Sequence, residues 1–168
     1  LYGSIANMNL GAYEDALKGS MEAIKICDQL LQSTAGSKEA TEKYKILKLK
    51  AALTSNIGNI YDNQGNYQEA LKYDYEALQI SEEIADKGGI AGAYNNIGNI
   101  FAAQGIYPEA LKNLLAALKI KEEIGDKKSI ANSYNNIGII YWNQGDFTEA
   151  LKNHFAALNI REEIGDKW

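Results

Sequence analysis

Apolar residues recur every three or four positions along most of the chain, and that pattern itself returns every forty residues. Between 91 and 130, Ala91, Tyr94, Ile97, Gly98 and Phe101 form one stripe. After Gln104-Gly105 a second stripe follows in Tyr107, Ala110, Leu111, Leu114, Ala117, Leu118 and Ile124. Both have the period of a helix rather than a strand. The spacing therefore predicts two helices per unit, broken at the Gln-Gly step. Tyr134-Asn135-Asn136-Ile137-Gly138 copies Tyr94-Asn95-Asn96-Ile97-Gly98, and Thr54-Ser55-Asn56-Ile57-Gly58 precedes both in the same frame. The glycines fall at 58, 98 and 138 without drift. A fixed period of this length marks a stack of helical repeats.

Three regular units follow from this frame: 51–90, 91–130 and 131–168. Gly105 suits the left-handed residue after a helix end, and Pro108 stands where a first helical turn tolerates it. Gly125-Asp126 and Gly165-Asp166 give the same kind of stop, each followed by a candidate N-cap. Gly98 and Gly138 lie inside helices, at about 1 kcal/mol each relative to alanine. That cost is reasonable where another helix must come close, and Ala110 and Ala117 offer the opposing small positions.

The first fifty residues depart from the frame. Gly11-Ala12-Tyr13-Glu14-Asp15-Ala16-Leu17 matches Gly65-Asn66-Tyr67-Gln68-Glu69-Ala70-Leu71 at a spacing of fifty-four, fourteen more than the period. Fourteen residues are close to four helical turns, so the apolar face returns nearly to phase. Residues 1–36 read as an irregular first unit, with only a truncated or distorted helix upstream of Gly11. The turn signal Ser33-Thr34-Ala35-Gly36-Ser37 precedes a continuous seam of Ile46, Leu49, Leu53, Ile57 and Ile60. Residues 37–50 thus read as an insert that lengthens the next helix, which runs from about Ser37 to Gln64.

The order aromatic, Ile-Gly, aromatic, then Ala resembles the tetratricopeptide repeat, carried here by Tyr134, Ile137-Gly138, Tyr141 and Ala150. The period of forty is similar to the longer-repeat branch found in kinesin light chains, Leu-Gly-Asn spindle adaptors and bacterial peptide-sensing regulators. Two departures stand out. The aromatic expected after the alanine is Asp74, Leu114 or His154, and the closing proline is missing. The resemblance covers 51–168 well and 1–50 partly. It implies an all-α, right-handed superhelical solenoid of antiparallel helix pairs, about four units with the first irregular. The whole of 1–168 then forms one array, expected to be a piece of a longer protein.

Asparagine is a poor helix former, because its side chain competes for backbone hydrogen bonds. Yet the first helices carry Asn56, Asn59 and Asn63; Asn95, Asn96 and Asn99; and Asn132, Asn135, Asn136 and Asn143. At about 100° per residue, Asn96 and Asn99 fall opposite the packed side, with Asn95 on the flank. An asparagine offers both an acceptor and a donor, which is what an extended peptide backbone needs. The resemblance implies that this face lines a concave groove and binds a partner's peptide segment. The other reading is that the asparagines bond to one another between adjacent first helices, or stay solvated. Trp142, at the flank position held by Ala102, and Ile139, at the position of Asn99, make the last segment more apolar. They read either as a pocket for one ligand side chain or as contact with a following unit. The lysines that chaperone-tail-binding arrays use are replaced by Ala52, Gly92 and Asn132, so little preference for acidic C-terminal tails is expected.

Composition narrows the alternatives. The formal net charge is −5 over 168 residues, against a nucleic-acid partner. No apolar run approaches a membrane span. One cysteine, Cys27, fits a reducing, cytoplasmic setting and reads as core. His154 reads as a packed residue in an aromatic's place, and no His/Cys cluster has metal spacing. The Gly-Asp-Lys steps read as helix caps, and Glu82-Glu83, Glu122-Glu123 and Glu162-Glu163 as a solvated outer face. Neither catalysis nor a cofactor is expected. A different class of function, a structural array that self-associates end to end, rests on Leu151, Phe155 and Leu158, which no later unit covers.

Overall fold

The computed structural model of the chain describes residues 2–33 and 39–166, with side chains described over 11–33 and 40–166. These residues are all-α, in seven helices: α1 (Tyr2–Ser33), α2 (Glu39–Asn63), α3 (Tyr67–Glu83), α4 (Lys87–Ala103), α5 (Tyr107–Ile124), α6 (Lys127–Asn143) and α7 (Phe147–Glu163). The chain divides into two compact units, Leu1–Ala85 and Asp86–Trp168. Unit 1 holds α1 to α3, and unit 2 holds α4 to α7.

The Gln-Gly steps close each helix pair by one mechanism. Gly65, Gly105 and Gly145 take φ of 73°, 75° and 81°, a backbone that costs glycine nothing. The N–H of Gly105 then reaches the carbonyl of Ala102 at 3.0 Å, and that of Ile106 reaches Phe101 at 2.9 Å. The same two bonds close on Asp62 and Tyr61, and on Trp142 and Tyr141. This double bond pattern satisfies carbonyls that a helix end would otherwise leave open. The next helix starts on a side-chain cap: Asn66 accepts from the Glu69 N–H at 3.4 Å, and Asp146 from Glu149 at 3.1 Å. Ile106 cannot cap, and there Pro108 starts α5 with a preset φ.

At Gly11 the structure departs from the sequence pattern. α1 runs unbroken from Tyr2 to Ser33, a 32-residue helix, with no turn at Gly11 and no truncation upstream. The physical reason lies in the following residue. Gly65 and Gly145 precede capping side chains, whereas Gly11 precedes Ala12, which has no acceptor, and its φ stays out of the left-handed region. The turn expected at 33–37 falls, beyond Ser33, outside the described residues. α2 spans 25 residues and ends at the Gln64-Gly65 step.

In unit 1, α2 packs against both α1 and α3. Leu47, Ala51 and Ile80 form a buried cluster, with Leu31 and Ile84 against it. Lys50 on α2 donates to Asp28 on α1 at 2.6 Å, with the Lys50 side chain only 19% exposed. Cys27 is 2% exposed, and burial, reinforced by the Asp28 carboxylate, pushes its thiol up. It is a core residue. Tyr61 and Tyr73 stack with ring centres 5.5 Å apart.

In unit 2, α5 lies between α4 and α6, and α7 packs on α6. The core is Ala110, Leu114, Leu118, Ile137 and Ile140, with Phe101, Tyr134 and Tyr141 packed around it. A Cβ added at Gly98 would stand 2.8 Å from Leu114 Cγ and 3.2 Å from the Ala110 carbonyl oxygen. The close approach that the buried glycine predicts is real, but a leucine fills the space along with the alanine backbone. At Gly138 the neighbour is the His154 ring at 2.9 Å, and at Gly58 it is the Asp74 carboxyl carbon at 3.0 Å.

Candidate functional site

The sequence-predicted residues fall on first helices, and their surroundings sort them into three kinds. In unit 1, Asn56, Asn59 and Asn63 are exposed along one stripe of α2. In unit 2, Asn96 and Asn99 on α4 and Asn136 on α6 are half-buried, while Asn143 is exposed. Ile139 and Trp142 are 45% and 57% exposed, and Trp142 meets Phe147 edge-on with ring centres 4.8 Å apart.

The remaining three asparagines are tied to a second helix. Asn95 Oδ1 accepts from Lys121 Nζ at 3.2 Å. Asn132 Oδ1 accepts from Arg161 Nη2 at 3.0 Å. Asn135 Oδ1 lies 3.1 Å from His154 Nδ1; an amide oxygen only accepts, so the ring nitrogen donates. Neither side-chain bonding between adjacent first helices nor simple solvation describes these three residues. They brace each first helix against a second helix, and in doing so fix the orientation of their own amides.

Lys121 is the residue the sequence reading missed. It sits in the last turn of α5, half-buried, and donates to Ser133 Oγ of α6 at 2.8 Å as well as to Asn95 of α4. Burial pushes its ammonium below the ordinary lysine range, and the Asp126 carboxylate opposes that push. A pocket of about 320 Å³ opens beside it, lined by Gly92, Asn95, Asn96, Lys121, Ile124 and Asp126 among others. Asp126 caps α6 by accepting from the Ser129 N–H at 3.1 Å, which holds its carboxyl below the usual range. The signal that could have found Lys121 is a column one repeat apart, Ser81, Lys121 and Arg161.

A second pocket, about 280 Å³, lies along α7 between Leu151, His154, Phe155, Leu158 and Arg161, with Asn135 at its edge. Among the described residues, no group of three or more His, Cys, Asp or Glu side chains could hold a metal. Among them too, no helix is long and apolar enough to cross a membrane.

Helix pairs with the same turn, the same buried glycine and the same opposing alanine at each forty-residue step define a helical repeat protein. The tetratricopeptide repeat family model matches residues 49–123 and 89–163, and the chain belongs to that family. It is thus a repeat module of the protein–protein interaction kind, a fold that is generally non-catalytic. Comparison with curated protein sequences gives no match. Among solved structures, the chain is similar to the TPR domain of Arabidopsis FLU, at 20% identity over 70% of this chain and 98% of that one, TM-score 0.64. It is also similar to BtubC (BKLC) from P. vanneervenii, at 20% identity and TM-score 0.67, covering 90% of this chain and 60% of that one. A Rap protein complexed with competence and sporulation factor aligns at 20% identity and TM-score 0.68, over 90% of this chain but only 40% of that one. The chain therefore spans well under two thirds of the length of the last two.

Proposed function

We propose that the chain is a non-catalytic module that binds an extended peptide segment of a partner protein along the asparagine-bearing faces of its first helices. The observation that carries the reading is the division of labour on α4 and α6. Asn95, Asn132 and Asn135 are held by Lys121, Arg161 and His154. That bracing sets rigidly placed amide faces, with Asn96 and Asn136 one repeat apart in sequence register. Preset amides lower the ordering cost of binding. Asn99, Asn143, Ile139 and Trp142 extend the face, and Asn56, Asn59 and Asn63 give α2 a stripe of the same chemistry. The similar Rap structure was solved with competence and sporulation factor bound, a likeness of fold that makes a peptide-type ligand a natural first choice to test. Peptides held largely through their backbones bind at about micromolar strength, on the order of −8 kcal/mol. A cytoplasmic setting suits the single buried thiol of Cys27.

A second reading has its own observation. Leu151 and Phe155 are 54% and 58% exposed on α7, an apolar face on which a second copy of the chain could pack. One experiment separates the two. Peptide-library binding is measured on the wild type and on Asn96→Ala/Asn136→Ala, with sedimentation of each. Loss of two hydrogen bonds at about 1 kcal/mol each weakens binding about thirty-fold at an unchanged thermal midpoint. A large fall in the midpoint, or binding that ignores the substitutions, overturns the peptide reading. End-to-end assembly without peptide binding favours the structural one.

A further inference from the structure

We infer that the pocket beside Lys121, between α4, α5 and the first turn of α6, reads one acidic side chain of the bound segment. This rests on the peptide-binding reading above and specifies the ligand's chemistry at one position. The expectation drawn from Ala52, Gly92 and Asn132 considered first helices alone. In unit 2 the cation reaches the amide face from the second helix instead.

The argument starts from how the other lysines are treated. Lys50, Lys72, Lys87, Lys112, Lys127 and Lys152 each lie within ion-pair reach of a carboxylate. Lys121 is half-buried, yet among the described residues it has no carboxylate within 4.0 Å. Its acceptors are a neutral amide at 3.2 Å and a neutral hydroxyl at 2.8 Å. An ammonium has three donors, so these acceptors leave one unspent. A desolvated cation with only neutral partners carries an uncompensated charge, and a carboxylate placed beside it restores the balance. The lowered affinity of Lys121 for its proton is a symptom of the same imbalance.

The pocket also limits the ligand. Asp126 lines it, although its carboxylate is engaged with the Ser129 N–H. A doubly charged phosphate would meet that negative charge at close range, while one carboxylate is matched by Lys121. The neighbouring amides of Asn95 and Asn96 are suited to the backbone on either side of an acidic residue. Arg161 stands in the same register one repeat later and donates to Asn132 at 3.0 Å. An acidic partner segment thus meets a second cation further along unit 2.

The test titrates the full chain with three probes: N-acetyl-glutamate amide, N-acetyl-glutamine amide and inorganic phosphate. Side-chain NMR resonances of Asn95, Asn96 and Lys121 are followed in the wild type and in Lys121→Met, which keeps the apolar stem. The glutamate probe is expected to saturate on the order of 1 mM, at least ten-fold tighter than the glutamine probe, as expected for so small a ligand. The response is lost in Lys121→Met and weakens as salt is raised. Equal response to the two amide probes, tighter binding of phosphate, or an unchanged response in Lys121→Met overturns the inference. Should Lys121→Met unfold, the glutamate-to-glutamine ratio and its salt dependence in the wild type decide. A silent glutamate probe beside intact peptide binding sinks this inference alone. A responsive probe with no peptide bound from the library sinks the peptide reading alone.

Discussion

The α2–α3 pair of unit 1 and the α4–α5 pair of unit 2 share one frame. Ile57-Gly58 and Ile97-Gly98 are buried on the first helices, and Ala70 and Ala110 are buried on the second. What fills the space under each glycine differs completely. In unit 2 it is Leu114, fully buried among apolar neighbours. In unit 1 it is Asp74, equally buried, accepting from the Ser55 hydroxyl at 3.2 Å. The pairs also end differently. Gly125 stops α5 at φ 79°, while Ala85 takes φ 53° after α3. The frame is set by the smallest side chains, which fix how closely backbones approach. A side chain of about leucine's volume then fits whatever its polarity, so fold and local chemistry vary independently.

The largest test of that comparison removes the filler from unit 2. Leu114→Ala deletes a side chain with no exposed surface between α4 and α6, which costs about 2–5 kcal/mol in lost transfer energy and cavity. Denaturant titration reads the total, and hydrogen exchange should show the loss centred on α5. A cost below 1 kcal/mol would mean that the helices collapse into the space, and that the glycine contact does not set their separation.

A smaller effect is expected from giving unit 1 the filler of unit 2. Ser55→Ala/Asp74→Leu replaces a buried carboxylate and its hydroxyl donor together, so neither is left without the other. Such paired replacements are neutral or stabilising, here by up to about 2 kcal/mol. Protection of α2 and α3 amides against hydrogen exchange measures it. A loss of protection would make Asp74 a stabilising member of the core, and the two pairs would no longer be equivalent frames.

The repeat was legible because it is written in positions that tolerate few alternatives. Gly98 and Gly138 lie at close helix contacts, and Gly105 and Gly125 lie at left-handed turns. Gly11 misled because glycine is compatible with a turn and with a helix interior alike. What decides between them is the next side chain, an acceptor in Asn66 and a methyl in Ala12. On the candidate site, helical phase placed Asn96 and Asn136 on one type of face. It could not show which asparagines were already engaged. Their partners come from 19 to 29 residues away, as His154, Lys121 and Arg161 reach back along flexible stems. Lys121 escaped notice for the same reason. Phase locates a Cα, while a lysine head is placed by rotamers and by the acceptors that capture it.

The finest test concerns the two helix ends. Ala85 is the one described residue other than glycine with positive φ, and it stands where the later repeats have Gly125 and Gly165. A Cβ in the left-handed region crowds the following carbonyl, at roughly 1–2 kcal/mol. Glycine removes that crowding but gains freedom in the unfolded chain, which returns roughly 0.5–1 kcal/mol of the benefit. Ala85→Gly should therefore stabilise by about 0.5–1 kcal/mol, a rise in thermal midpoint of roughly 1–4 °C for a chain of this size. The reverse change at Gly125 should lower the midpoint by a similar amount, since it would place a Cβ at φ 79°. If Ala85→Gly instead lowers the midpoint, the methyl group is making a contact that outweighs its backbone strain. The end of α3 would then be a feature specific to unit 1 rather than an imperfect copy of the stop at Gly125.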